Sequence, residues 1–223
     1  MKQKSIFITG TDTGVGKSIF SALLALKYIN EGKKVAISKP LQTGSPKDTD
    51  FLKDLTGNKV PIFNTYSFSL GAAPSVASKY ENKTIEIEKI ISDIRELEKE
   101  FDHVIVEGIG GIAVPILHDV YLVADLIKDL NCPTIAVARP SLGTINHTVL
   151  TIEFARKKGL DVLGFVVSGY EEKLRDPVVK TAPEEILKIT GVNCLMKVPF
   201  LKELGYEAID GLVKEVVALT SIW

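Results

Sequence analysis

Apolar residues fall along this chain in short unbroken runs, separated by longer stretches in which they recur every three or four positions. The short runs predict strands: residues 5–9 (SIFIT), 34–38 (KVAIS), 102–107 (DHVIVE), 134–138 (TIAVA), 161–167 (DVLGFVV) and 194–198 (CLMKV). Their Val and Ile side chains do not alternate with polar ones, as expected of strands covered on both faces of a parallel sheet. The periodic stretches predict helices over residues 17–31, 48–56, 85–100, 121–130, 144–158, 183–190 and 207–219. The clearest stripe is Ile85, Ile87, Ile90, Ile91, Ile94 and Leu97, which marks an amphipathic helix. Regular strand–helix repetition predicts an α/β fold, a mostly parallel, doubly wound sheet of about seven strands flanked by helices. Residues 57–83 are the least regular and read as a loop with a short helix near 73–80. Residues 1–223 read as a single domain.

Composition narrows the class. Hydrophobic residues make up 45% and charged residues 25% of the chain, the balance of a globular protein with a substantial core. A net charge of −1 lacks the basic excess of a general nucleic-acid binder. No stretch approaches the ~18 apolar residues of a membrane span, and the opening MKQKSIFITG lacks the apolar run of a signal peptide. The expected location is the cytoplasm, with no nucleic-acid or membrane partner. Cys132 and Cys194 have neither zinc-site nor disulfide-framework spacing and read as buried, reduced thiols.

The strongest chemical signal lies between the first strand and the first helix, where residues 10–18 read GTDTGVGKS. The phosphate-loop signature is Gly-x-x-x-x-Gly-Lys-Ser/Thr. Gly16, Lys17 and Ser18 match it; Thr11 stands at the first glycine, with Gly10 one residue early. Gly14 and Gly16 allow backbone N–H groups to turn inward. The helix opening at Lys17 points its positive end at an anion. Lys17 is expected to reach the outer phosphates and the Ser18 hydroxyl to ligate Mg²⁺. Thr13, Gly14, Val15, Gly16, Lys17, Ser18 and Ile19 are the expected phosphate-binding residues.

A magnesium ion beside phosphates usually takes a carboxylate as well. Glu107 closes the run Val104-Ile105-Val106 before Gly108, Ile109, Gly110 and Gly111, and such strand tips are where α/β enzymes place ligands. Asp50 in KDTD is the second candidate. Lys39, Ser168, Gly169 and Pro199 also fall at strand carboxyl ends, so one rim of the sheet collects the candidate chemistry.

These motifs, in this order and at these intervals, resemble the dethiobiotin synthetase family. GTDTGVGKS is similar to that family's phosphate loop, SKPLQTG at 38–44 to its lysine–proline segment, and VEGIGG at 106–111 to its acidic Gly-rich motif. LGTINHT at 142–148 resembles a loop entering a helix, and VPFL at 198–201 a late segment on the base side. The family joins CO₂ and 7,8-diaminononanoate with ATP to close a cyclic urea. The resemblance implies a P-loop fold and a homodimer with its active site at the interface. It implies Lys17 and Lys39 as catalytic lysines, and Ser18, Asp50 and Glu107 around Mg²⁺. It implies Gly108, Ile109, Gly110, Ser168, Gly169, Pro199, Phe200 and Leu201 toward the nucleotide. Thr43 would contact substrate, and Gly143, Thr144, Ile145 and Asn146 would take the substrate carboxylate of the neighbouring subunit. Two positions depart from the family pattern. Ser168-Gly169 replaces an Asn-Asp whose Asn reads adenine, which implies weaker discrimination among nucleoside triphosphates. Ser75 stands after Pro74 where many members carry histidine.

Other P-loop classes fit less well. Partition- and division-type ATPases, nucleotide switches and the main alternative, carry a lysine five residues before the second loop lysine; here that position is Asp12. Signalling GTPases need an Asn/Thr-Lys-x-Asp base motif, which is missing. Corrin-type amidases need a glutaminase domain, for which 223 residues leave no room.

Overall fold

The continuous apolar runs become a sheet whose two faces bury different residues of each strand. The computed structural model describes residues 3–118, 120–171 and 177–213. In chain order the elements are β1 (Ser5–Gly10), α1 (Lys17–Asn30), β2 (Val35–Ser38), β3 (Leu41–Thr43), α2 (Asp48–Thr56), β4 (Ile62–Phe63), β5 (Tyr66–Phe68), α3 (Pro74–Tyr80) and α4 (Ile87–Glu100). They continue with β6 (His103–Glu107), β7 (Pro115–Leu117), β8 (Tyr121–Leu122), α5 (Val123–Leu130), β9 (Thr134–Ala138), α6 (Thr144–Lys157), β10 (Val162–Tyr170), α7 (Pro177–Thr190), β11 (Cys194–Pro199) and α8 (Tyr206–Val213).

Seven strands form one sheet in the order β11-β10-β9-β1-β6-β2-β4, and every neighbouring pair runs parallel. On one face Ile6, Ile8, Ile105 and Val137 pack against α1, α2 and α8. On the other, Phe7, Val104 and Val106 meet Ile90 and Ile94 of α4 and Leu126 and Ile127 of α5. A side chain such as Ile90, fully buried, contributes about 1.5–3 kcal/mol over its exposed state. The connections after β1 and after β6 leave toward opposite edges of the sheet. That reversal opens a crevice at the carboxyl ends of β1 and β6, where ligands bind in doubly wound sheets.

The structure departs from the sequence reading in four places. Residues 57–83 contain the edge strand β4, the short strand β5 and α3 rather than loop and helix alone. Residues 121–122 pair with β7 before α5 begins. Helix α7 starts at Pro177, with Pro183 inside it. Proline tends to start helices because it lacks an N–H, but here the buried stripe Val179, Ala182 and Ile186 runs through it and outweighs the cost. Cys194 is half-buried, whereas Cys132 is buried as expected. The helix read over residues 207–219 lies within the described residues only as far as Val213.

Candidate active site

The loop after β1 turns into α1 through two left-handed glycines, Gly14 at φ 70° and Gly16 at φ 96°. Gly16 is required twice over. A Cβ there would also lie 2.2 Å from the Ser168 hydroxyl, closer than atoms approach. Helix α1 has no side-chain cap and no acid in its first turn, so its first N–H groups and its positive dipole end remain available to an anion. Lys17 folds back over the loop and donates to the carbonyls of Asp12 (3.0 Å) and Gly110 (2.8 Å). Burial, joined by the nearby Lys39 charge, pulls its ammonium down to about 8.

Strands β2 and β6 lie side by side, which sets their tips together. Lys39, directly after β2, is almost fully buried, and Glu107 at the end of β6 is fully so. Lys39 Nζ donates to Glu107 Oε1 at 2.9 Å and to the Gly108 carbonyl at 2.9 Å, and pairs with Asp48 at 2.7 Å. Burial opposes the Lys39 charge, but Glu107 and Asp48 more than offset it and hold the ammonium above the ordinary lysine value. Ser18 Oγ donates to the same Glu107 oxygen at 2.9 Å. Glu107 Oε2 is buried and has no partner among the described residues. An unsatisfied buried carboxylate oxygen is costly, and its position marks where a cation or donor would be satisfied.

These groups line one cleft of about 640 Å³. Its wall contains Thr13, Gly14, Gly16, Lys17, Ser18, Ile19, Lys39, Thr43, Glu107, Ile109 and Gly110 from the sequence reading. It also holds Asp48, Phe51, Gly71, Ala72, Ala73, Val114 and Leu204, which that reading missed.

The other expected residues fall elsewhere. Asp50 is exposed and pairs loosely with Lys53 at 3.7 Å; the acid of α2 that lines the cleft is Asp48. Helical phase separates the two. The buried face of α2 carries Thr49, Leu52, Leu55 and Thr56; Asp48 lies at its edge, partly exposed and turned to Lys39, while Asp50 lies about 200° around the helix from Asp48. Val15 is a core residue. Gly108 contributes its carbonyl to Lys39 but, like Gly169, does not line the cleft. Ser168 is buried against Gly16, behind the loop. Pro199 pairs in register with Tyr170, Phe200 is 55% exposed, and Leu201 packs on the α1 side of the core. Of the late segment, Leu204 is the residue that reaches the cleft. Gly143, Thr144, Ile145 and Asn146 line a separate cavity with Leu142, Val149 and Leu150.

The fold and this cleft define a P-loop nucleotide-utilising α/β protein. Solved structures of cell-division and partition ATPases share the architecture. The MinD ATPase of Pyrococcus furiosus superposes with a TM-score of 0.62 over 96% of this chain and 98% of its own, at 17% identity. A ParA-family ATPase of Chlorobium tepidum gives a TM-score of 0.61 over 95% and 98%, at 13% identity. At such identities the likeness is one of fold alone. A family model described as an AAA domain matches residues 4–208.

Sequence relatives are more specific. Proteins named ATP-dependent dethiobiotin synthetase BioD match at 36% identity in Thermodesulfovibrio yellowstonii, covering 91% of each chain. In Bacillus subtilis strain 168 the identity is 37%, over 97% of this chain and 96% of the relative. In Methanocaldococcus jannaschii it is 38%, over 82% and 92%. The chain belongs to the ATP-dependent dethiobiotin synthetase family.

Proposed function

We propose that this protein joins CO₂ to 7,8-diaminononanoate at the expense of ATP, closing the cyclic urea of dethiobiotin. The observation that carries this reading beyond ATP hydrolysis is Lys39. A bare phosphate site needs Lys17 and the loop amides; a second buried lysine on the wall of the same cleft, held against Glu107 and Asp48, is a further cation that such a site does not need.

The chemistry sets the demands on the site. One amine takes up CO₂ to give a carbamate, whose delocalised charge makes it a poor electrophile. Transfer of the γ-phosphoryl group to the carbamate oxygen creates a leaving group. The second amine then attacks, and phosphate departs. Lys17 and the α1 N-terminus would hold the phosphates, and Lys39 would stand between phosphoryl group and carbamate, where negative charge concentrates. Thr43 and the 71–73 wall would hold the diamine, making ring closure unimolecular. Mg²⁺ fits the residues present: Ser18 and Glu107, with its unpartnered Oε2, would hold it, and Asp48 stands nearby through Lys39. When bound it would neutralise phosphate charge.

The residues Gly143, Thr144, Ile145 and Asn146 do not belong to the cleft of their own chain, which supports a homodimer. The α6 N-terminus has no side-chain cap, and Thr144 Oγ1 is buried without a partner among the described residues. In the dimer this turn would receive the substrate carboxylate at the partner's cleft. One domain over residues 1–223 is supported by the seven-stranded sheet, which takes strands from β1 through β11, with two small two-stranded sheets, β3-β5 and β7-β8, beside it.

The test is an assay of dethiobiotin by mass spectrometry alongside ATP hydrolysis, with bicarbonate and with or without the diamine. Hydrolysis should depend on the diamine; hydrolysis that ignores it, without product, would favour a nucleotide switch. The same assay with ATP, CTP and GTP should show less than about a hundredfold preference for ATP, because Ser168, buried against Gly16, offers the base no paired amide donor and carbonyl acceptor. Activity per chain should fall on dilution through the dimer dissociation range, and a fully active monomer in sedimentation would exclude the shared site.

Lys17 also predicts a proton effect. Its pKa is depressed to about 8 in the free protein, and a bound triphosphate raises it. Nucleotide binding should therefore take up protons above that value, and affinity should weaken as pH rises through the window between the free and bound pKa values. Calorimetry at a pH just above 8, in buffers of different ionisation enthalpy, reads the uptake. Lys17→Met should abolish it. No uptake by the wild type would contradict the assignment.

A further inference from the structure

Asp12 carries a full negative charge at the lip of a loop built to hold polyphosphate. Its Oδ1 accepts from the Thr13 amide at 2.7 Å, and its carbonyl accepts from Lys17 Nζ at 3.0 Å. Its Oδ2 meets Nη2 of Arg139 at 2.7 Å. Arg139 is the first residue after β9, and the same strand end accepts the Thr11 amide on the Val137 carbonyl at 2.9 Å. Strand β9 therefore holds the first arm of the loop twice, once through backbone and once through charge. The Thr13 amide, with Arg139 adding to it, keeps the Asp12 carboxyl below its ordinary value, so the charge persists at neutral pH. His147 of α6 also faces it.

Exposed ion pairs ordinarily add little to the stability of a fold. The consequence here falls on the ligand. An uncompensated carboxylate beside the phosphates would repel them, and the arm that carries the Lys17-binding carbonyl would lose its tether. We propose that Arg139 is a positioning residue for nucleotide binding, which neutralises Asp12 and fixes the entry arm of the phosphate loop. This inference rests on the nucleotide reading of the cleft.

The experiment titrates a non-hydrolysable ATP analogue with Mg²⁺ by calorimetry at low and at high salt. Arg139→Gln should bind about fivefold more weakly at low salt, and the deficit should shrink at high salt as the Asp12 charge is screened. KM for ATP should rise while kcat at saturation stays within about twofold, the pattern of lost ground-state binding. Arg139→Lys should recover most of the affinity. Asp12→Asn/Arg139→Gln should recover it too, because asparagine keeps an oxygen for the Thr13 amide without the charge. The thermal midpoint should barely move in any of these, since Arg139 and Asp12 are 40% and 54% exposed. If the wild type binds and Arg139→Gln binds equally well at low salt, the inference is wrong and the nucleotide reading stands. If the double variant is as weak as Arg139→Gln, charge neutralisation is wrong. A wild type that binds no analogue would overturn both readings.

Discussion

Lys17→Ala should lower dethiobiotin formation by roughly a thousandfold or more at saturating ATP, the scale of losing a preorganised donor to developing negative charge. The geometry concentrates the effect. Lys17 is buried, begins α1, and its ammonium sits between the carbonyls of Asp12 and Gly110 at the centre of the loop. Both direct partners are neutral carbonyls, and the carboxylates of Glu107, Asp48 and Asp12 act on the ammonium without pairing with it. The same facts predict a mild effect on the fold. Alanine favours the helix, and removing the ammonium relieves its burial while leaving two carbonyl contacts unmade. Circular dichroism and a thermal midpoint near that of the wild type should accompany the lost turnover. A folded Lys17→Ala variant with near-native rate would remove the phosphate-loop assignment.

Lys39→Gln should cost at least about a hundredfold in product formation, roughly 2.7 kcal/mol of transition-state stabilisation. Nucleotide binding should survive better, because Lys17, Ser18 and the loop amides remain. Here the fold is not a bystander. Lys39 is the cation against fully buried Glu107, and removing one partner of such a pair costs about 3–5 kcal/mol. Stability loss and catalytic loss must therefore be separated. Rates should be taken at a temperature where the variant is folded, and Lys39→Met/Glu107→Gln, which removes both charges, should regain stability without regaining turnover. Arginine should fail too, because its planar fork does not fit a space shaped for one ammonium between Glu107, Gly108 and Asp48. A folded Lys39→Gln variant that forms product within a few-fold of wild type would reduce Lys39 to a structural ion pair.

Much of this site was legible before any coordinates. The loop residues and Glu107 could be placed because their roles follow from local rules: a strand, a glycine turn and a helix start, or an acid closing an apolar run. Lys39 was placed on the right rim, but its burial and its pairing with Glu107 could not be read. Those depend on β2 lying beside β6, two strands separated by more than sixty residues. The KDTD segment points to Asp50 as readily as to Asp48, and only the placing of α2 beside Lys39 brings Asp48 to the cleft. Leu204, the 71–73 segment and Arg139 carry no local signal and reach the site through the order of the strands.

The sequence by itself determined the elements and the chemistry of each strand tip, because backbone sterics, hydrophobic periodicity and glycine freedom act over a few residues. It also determined family membership, through motifs held in order. Only the tertiary structure decided which tips meet. It set β6 between β1 and β2, so that Ser18 and Lys39 share one oxygen of Glu107 and leave the other unpartnered among the described residues. It turned Ser168 behind the loop and brought Arg139 to Asp12. Such contacts join residues far apart in the chain and depend on strand order and register, which parallel crossovers set through packing of the whole sheet rather than through any local pattern.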